Sequence, residues 1–343
     1  MNSNIVSAFE TLIHKTSMDL KKTKDTSLRF KITSYKKTIK LINSLPFEIS
    51  KGEDLKDIKD IGKTTIKKIN EIIESGTLTQ IKDLNSTVLA KAQELSKLQK
   101  ITGIGPVKAT QLFDLGITLD VLTSINFKKI TATHKTILQH LTHHQILGVK
   151  YFSDLESKIP HSEIQKIEKY LLKLIKKIPN LKMTICGSYR RKKTTSGDID
   201  VLLYHDKDEN VESSSYLTEF LSLLVEKKFL TDHLTSIDNP TKYMGFCKMS
   251  KLNRRIDIRL IPKSSFPTAL LYFTGSGEFN VNMRKYALSK GYSINEYGIF
   301  KLTKSGKKIF KIKTNLESDI FKVLGLDYVE PHDRLPSYKF LII

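Results

Sequence analysis

The residues with the clearest chemical purpose lie in the run Cys186 to Leu203, CGSYRRKKTTSGDIDVLL, where a glycine-serine turn and a basic stretch precede two aspartates in an apolar segment. Asp198 and Asp200 stand two apart. On a strand, that spacing sends both carboxylates off one face while Ile199 and Val201 point into the core. Two hard oxygen ligands at one spot suit Mg2+, and two ions about 3.5–4 Å apart can clamp the attacking and leaving oxygens of a displacement at phosphorus. A second strand-like run, Arg255-Ile256-Asp257-Ile258-Arg259-Leu260-Ile261, carries a single acid among β-branched residues, so Asp257 is the expected third ligand. The chemistry these residue types imply is nucleotidyl transfer.

A chain of 343 residues implies more than one compact unit. With 57 Lys+Arg against 36 Asp+Glu, a formal charge of +21, the natural partner is a polyanion, nucleic acid above all. Cys186 and Cys247 form no CxxC pair, so neither a zinc site nor a disulfide framework is suggested, and the cell interior is implied. No apolar run approaches the ~20 residues that cross a bilayer, and the N-terminus lacks the charged head and apolar body of a signal peptide.

Residues 1 to about 85 read as helices, with Ile5, Phe9, Leu12 and Ile13 at helical spacing. Two copies of one pattern follow, an apolar residue, a glycine turn and a basic helix: Ile58-Lys59-Asp60-Ile61-Gly62-Lys63, then Ile101-Thr102-Gly103-Ile104-Gly105-Pro106-Val107-Lys108. Glycine allows a tight turn, and the helix after it offers unpaired N–H groups to a phosphate. These read as helix-hairpin-helix units, the first with Asp60 where glycine is expected. A helix capped by Ser162 is expected to run to about Lys177. Strands are expected at 184–186, 198–204, 243–249 and 255–261, with a helix near 214–228, an exposed polar loop at 205–215, and a final small unit of two helices and short strands. His143 and His144 have metal-ligand types, but adjacent helical side chains diverge, so solvation or phosphate contact is expected of them.

The strings GSYRR, SGDIDVLL, RRIDIRLIP, LYFTGSGEFNVNMR and GYSINEYGI, with both hairpins and HHQILGVKYF in the same order along nearly the whole chain, resemble the X-family DNA polymerases of the polymerase beta type. The resemblance implies an α+β multidomain fold: a helical deoxyribose-phosphate lyase domain over 1–88, a helical DNA-binding subdomain over 89–150, a polymerase-beta-like nucleotidyltransferase palm over 151–262 and a small α/β nucleotide-selecting subdomain over 263–343. It implies that Asp198, Asp200 and Asp257 bind two Mg2+, with Mn2+ as substitute. Ser188, Arg191, Ser196 and Gly197 would contact the triphosphate; Tyr272, Phe273 and Gly275 the sugar; Asn280 the base edge; Arg284 the template; and Arg255 the primer phosphate or Asp257. In the lyase domain it implies Lys68 as the Schiff-base amine, activated by the neighbouring cations Lys63 and Lys67. Lys31, Tyr35, Gly62, Lys63, Gly103, Gly105 and Lys108 would face DNA. Backbone carbonyls of Lys56, Ile58 and Ile61, and of Gln99, Ile101 and Ile104, would hold Na+ or K+.

The implied activity is a DNA-directed DNA polymerase filling short gaps in base excision repair, with a 5'-deoxyribose-phosphate lyase. Its substrates would be gapped or nicked DNA and deoxynucleoside triphosphates, and its partners DNA ligase and other repair proteins. A monomer is expected, without membrane association, in the nucleus or, for a viral chain, at a cytoplasmic replication site or in the virion. Three positions depart from the family pattern: Thr64 replaces a phosphate-binding lysine, Ile146 a triphosphate-contacting arginine, and Gly277 a side chain that touches the incoming base. The competing readings are a template-independent nucleotidyltransferase, and a catalytically weak DNA-binding repair scaffold, against which the intact carboxylates argue.

Overall fold

The computed structural model describes residues 2–43, 45, 47–58, 61–82, 86–335 and 338–340. Lys59 and Asp60, and with them the glycine-to-aspartate departure of the first hairpin, lie outside the described residues. The chain forms two compact units, Met1–Lys150 and Tyr151–Ile343. No helix among the described residues is long and apolar enough to cross a membrane.

The first unit is helical throughout: α1 (Ser3–Thr23), α2 (Leu28–Ile42), α3 (Lys63–Ser75), α4 (Thr79–Lys82), α5 (Ser86–Leu98), α6 (Pro106–Asp114), α7 (Leu119–Thr123), α8 (Ala132–Leu138) and α9 (His143–Lys150). The apolar stripe of α1 packs Phe9 and Leu12 against Ile42, Leu55, Ile69 and Ile72. Burying that stripe, more than helix propensity, is what stabilises helices of this length.

Both hairpins close the same way. Ile61 N–H donates to the Ile58 carbonyl at 3.2 Å and Ile104 N–H to the Ile101 carbonyl at 3.0 Å. Gly62 and Gly105 then cap α3 and α6 with nearly equal extended angles, φ −93° and −89°. Those angles are open to any residue, so the tight-turn argument for glycine applies at Gly103, with φ +87°, and not at Gly62 or Gly105. A Cβ at the latter two would meet nothing within 4 Å, so neither the backbone angles nor the packing of the fold requires glycine there. Pro106 occupies the first position of α6, where no N–H is needed.

The second unit runs α10 (Phe152–Glu156), β1 (Ile159–Pro160), α11 (His161–Ile175), β2 (Leu181–Ile185), α12 (Gly187–Arg190), β3 (Thr195–Ser196), β4 (Ile199–His205), α13 (Tyr216–Glu226), β5 (Leu230–His233), β6 (Lys242–Lys248), β7 (Asn253–Ile261), α14 (Phe266–Thr274), α15 (Gly277–Ser289), β8 (Tyr292–Asn295), β9 (Gly298–Leu302), β10 (Lys308–Ile312) and α16 (Glu317–Val323). Its main sheet has the order β2-β4-β7-β6-β5, and only β4 and β7 pair in parallel. One face packs α11 and α13 through Ile164, Leu171, Phe220 and Leu224. The smaller sheet, β10-β9-β8, rests with α15 and α16 on Phe279, Ile299 and Phe321.

Several boundaries differ from the pattern read in the sequence. Cys186 caps α12 and does not extend β2. Pro160 stands at the N-cap of α11, so Ser162 lies inside its first turn; the extended φ and ψ of Pro160 end the β1 bridge and start the helix. The 205–215 loop is not wholly exposed, because it folds a short 3-10 turn that buries Val211, and His205 stacks on Tyr216 at 4.2 Å. β5 and β10 have no counterpart in the sequence reading.

The second hairpin is braced from behind by α9. Gln145 Nε2 donates to the Gly103 carbonyl at 2.9 Å, and a Cβ on Gly148 would lie 2.3 Å from the Thr102 carbonyl oxygen. Gly148→Ala therefore forces α9 off the hairpin and is expected to lower stability by about 1–3 kcal/mol, read as an earlier first transition in a thermal melt.

Candidate active site

The site grows from the parallel pairing of β4 with β7, which sets Asp200 directly opposite Asp257 and Ile199 opposite Ile256. Ile199, Val201, Ile256 and Ile258 are buried in the main core, so alternation turns both acids to the other face. Asp198 falls in the bend before β4 and not on the strand, which corrects the same-face argument for that residue. It still acts on the pair, because its charge raises the pKa of both Asp200 and Asp257. Burial first, then Asp198 and Asp257, push Asp200 up to about 7. Burial also raises Asp257, while Arg255 opposes the rise and donates from Nη2 to Oδ1 at 2.5 Å.

Among the described residues, no group of three His, Cys, Asp or Glu side chains stands closed to ligand distance. Arg255 holds Asp257. The donor set nonetheless fits a divalent cation: crowded, partly buried carboxylates, one of them reluctant to ionise near neutrality, lower their energy by sharing a hard cation. Gly187 is dictated by the same crowding, since its φ is +59° and a Cβ would lie 2.2 Å from Asp200 Oδ2.

Around the acids, the α12 turn and the β1–β3 bridge form a polar wall. Ser188 Oγ donates to Ser196 Oγ at 2.8 Å, and Arg191 Nη1 donates to the Thr274 carbonyl at 2.5 Å. Burial lowers the Arg191 pKa. A cavity of about 320 Å3 is lined by Ser188, Arg191, Asp198, Asp200, Tyr272, Phe273, Gly275, Gly277, Asn280 and Arg284. A second, of about 250 Å3, lies against Asp257, Lys242, Arg259 and Glu296, and Asp200 lines both. Tyr272 and Phe273 meet edge to face at 5.2 Å, and Asn280 Nδ2 donates to the Tyr272 carbonyl at 2.7 Å.

Sequence reasoning passed over three features of this wall. Lys158 Nζ lies 3.7 Å from where a Gly197 Cβ would sit, brought there by the β1–β3 bridge. Lys242 and Arg259, opposite each other on β6 and β7, line the second cavity. Arg190 turns away from Arg191 to fork onto Glu317 at 2.8 and 3.1 Å and to donate to Thr274 Oγ1 at 2.7 Å. Glu317 also accepts from Arg334 at 2.6 Å and from Tyr328 at 2.8 Å. The only signal for Arg190 in the sequence is its adjacency to Arg191.

In the first unit, Lys68 Nζ on α3 donates to Gln80 Oε1 at 2.5 Å. Burial is the main cause that lowers its pKa; Glu71 opposes, and Lys31 on α2 adds to the lowering. The neighbours expected to activate it, Lys63 and Lys67, are not among those causes. Lys31 and Lys63 are exposed, Lys108 is half-buried on α6, and Tyr35 packs its ring on Phe9 at 5.9 Å. Lys56, Ile58 and Ile61 surround the first hairpin turn, and Gln99, Ile101 and Ile104 the second. The His143 and His144 rings do not diverge: they meet edge-on at 6.2 Å.

Aspartates on neighbouring parallel strands behind a glycine-serine turn are the mark of a nucleotidyltransferase palm. Family models agree along the chain: a helix-hairpin-helix domain over residues 1–78, the DNA polymerase beta palm over 158–263 and the DNA polymerase beta thumb over 269–335. Similar curated proteins include DNA polymerase lambda of Arabidopsis thaliana, 31% identical over 88% of this chain and 57% of that protein, and DNA polymerase lambda of Rattus norvegicus, 30% identical over 89% and 52%. DNA nucleotidylexotransferase of Xenopus laevis is 25% identical over 86% of this chain and 62% of its own. The chain belongs to the X family of DNA polymerases and resembles polymerase beta. It spans between half and two thirds of the length of the curated relatives it matches. Dependence on a divalent metal ion is general to the family.

Without metal, Asp200 has a linkage cost. Its folded pKa lies near 7 and an unfolded aspartate titrates near 3.9, so its stabilising contribution is complete below about pH 4 and is lost as pH rises through about 7. In chelator-treated protein, Asp200→Asn should therefore raise Tm at about pH 8 by a few degrees, with the gain shrinking toward about pH 5. A pH series of thermal melts measures this.

Proposed function

We propose that the chain is a DNA-directed DNA polymerase that fills short gaps in base excision repair. The observation that carries this reading is Asp200 lining both cavities, with Asp198 on the cavity of Ser188 and Arg191 and Asp257 on the other. Two substrates, a deoxynucleoside triphosphate and a primer end, would then meet at one carboxylate. Asp198, Asp200 and Asp257 would hold two Mg2+, or Mn2+, which supply charge neutralisation and a lowered hydroxyl pKa when bound. The chain's own residues position: Ser188, Ser196, Gly197, Arg191 and Lys158 face the triphosphate, Tyr272, Phe273 and Gly275 the sugar, Asn280 the base and Arg284 the template. Arg255 steers Asp257 toward the primer side. Lys158, whose Nζ lies 3.7 Å from where a Gly197 Cβ would sit, would bring a cation to the Ser196-Gly197 turn.

For the first unit the reading is a 5'-deoxyribose-phosphate lyase. Lys68, its amine disfavoured as a cation by burial and by Lys31, would attack the sugar aldehyde to form a Schiff base. The hairpins around Gly62 and Gly103-Gly105 would meet DNA phosphates, with Na+ or K+ on their turn carbonyls. A filled gap still has a nick, so a DNA ligase acts next. The likeness to a nucleotidylexotransferase keeps template-independent addition as the second reading; incorporation restricted to the complementary nucleotide on gapped DNA excludes it.

On gapped DNA, Asp257→Asn should abolish extension and leave borohydride trapping on an abasic 5'-phosphate intact, and Lys68→Ala should do the reverse. Loss of both activities in either variant contradicts two separate centres. Lys158→Ala should raise the nucleotide KM about tenfold, the equivalent of ~1.5 kcal/mol for a lost charge-assisted contact, with a smaller change in kcat. Steady-state kinetics on a one-nucleotide gap measures it.

A further inference from the structure

The small sheet β8–β9–β10 carries a surface that the nucleotide site does not use. From Tyr297 to Leu316 the chain has six lysines, Lys301, Lys304, Lys307, Lys308, Lys311 and Lys313, and no acid. Register decides what stands beside what. Tyr292 lies opposite Lys301, and Lys301 opposite Phe310. Residues directly opposite share a face, so ring, ammonium and ring form one row across the three strands. Lys301 Nζ sits 4.2 Å from the Tyr292 ring centre. The adjoining row on that face, Ile294, Ile299 and Ile312, packs into the C-terminal core. The Tyr292–Lys301–Phe310 row is thus where the face leaves the core, and Phe310 is 57% exposed.

On the other face, Lys308 Nζ stands 4.3 Å from the Phe300 ring centre. β10 is an outer strand, and its far edge pairs with no described strand. Lysines on such an edge discourage strand-to-strand association, but that role needs no exposed ring. A phenylalanine in solvent among ammonium groups suits a ligand that is flat, apolar on its faces and anionic along its backbone. Duplex DNA offers the phosphates and hides the base faces. A single strand offers both.

We infer that this sheet is a binding site for single-stranded nucleic acid, with Phe310 stacking on a base and Lys301, Lys304 and Lys307 meeting the phosphates. The site is separate from the aspartates and does not depend on the polymerase reading. Fluorescence anisotropy of the full chain tests it, using a labelled oligothymidine and an abasic oligomer of equal length. The wild type should prefer oligothymidine. Phe310→Ala should weaken that binding about fivefold or more, as loss of one base stack predicts, and erase the preference, with little change toward the abasic strand; Phe310→Trp should retain the preference. Lys304→Glu with Lys307→Glu should weaken both ligands and flatten the salt dependence. Equal wild-type affinity for the two oligomers, or oligothymidine binding unchanged in Phe310→Ala, overturns the inference; the second result would favour an acidic polypeptide on the open edge.

Discussion

One parallel strand pair sets the conditions for everything around it. Because β4 and β7 run in the same direction, Asp200 and Asp257 stand side by side and cannot avoid each other's charge. The apolar residues that flank them, Ile199, Val201, Ile256 and Ile258, are locked in the core beneath α11 and α13, so the acids have no other face to occupy. Burial and repulsion lift Asp200 to about 7, an unfavourable arrangement for an isolated carboxylate and a favourable one for a cation ligand. Gly187 and the Arg255 contact follow from that crowding: the first gives way to Asp200 and the second restrains Asp257.

The turn that carries Ser188 is also fastened to the C-terminal part of the same unit. Arg190 reaches Glu317, and Glu317 is shared with Arg334, which is almost wholly buried among Phe279, Phe321 and Tyr328. A buried carboxylate between two guanidiniums keeps its charge because each partner donates directly, and both contacts help to hold its pKa below the ordinary range. The adjacent arginines therefore divide their work. Arg190 fixes the frame, and Arg191, whose Nη1 donates to the Thr274 carbonyl, lines the cavity.

What could be read from the sequence is what depends on near neighbours. The aspartate spacing, the glycine-serine turn and the two hairpins are local patterns, and Asp257 stood out as one acid in an apolar run. The parallel register that joins Asp200 to Asp257 spans 57 residues and leaves no local trace. Lys158 and Arg190 escaped for a related reason: their roles are set by a two-residue bridge and by a glutamate far along the chain. Asp198 stands in the bend one residue before β4, yet its spacing of two from Asp200 continues the alternation of the strand, so the sequence pattern alone extends the strand over it. β10 is not legible because Lys308 to Lys311 are all exposed and only Ile312 is half-buried, which removes the alternation that marks a half-buried strand.

The central claim is that the paired carboxylates of β4 and β7 are a cation site kept partly protonated until the ion arrives. Calorimetric titration of Mn2+ into the full chain, in two buffers of different ionisation enthalpy, counts the protons released on binding. At about pH 6.5 the account predicts release of a large fraction of one proton, falling toward none at about pH 8.5 and absent in Asp200→Asn. Mn2+ binding without proton release at either pH, or release undiminished in Asp200→Asn, would contradict it.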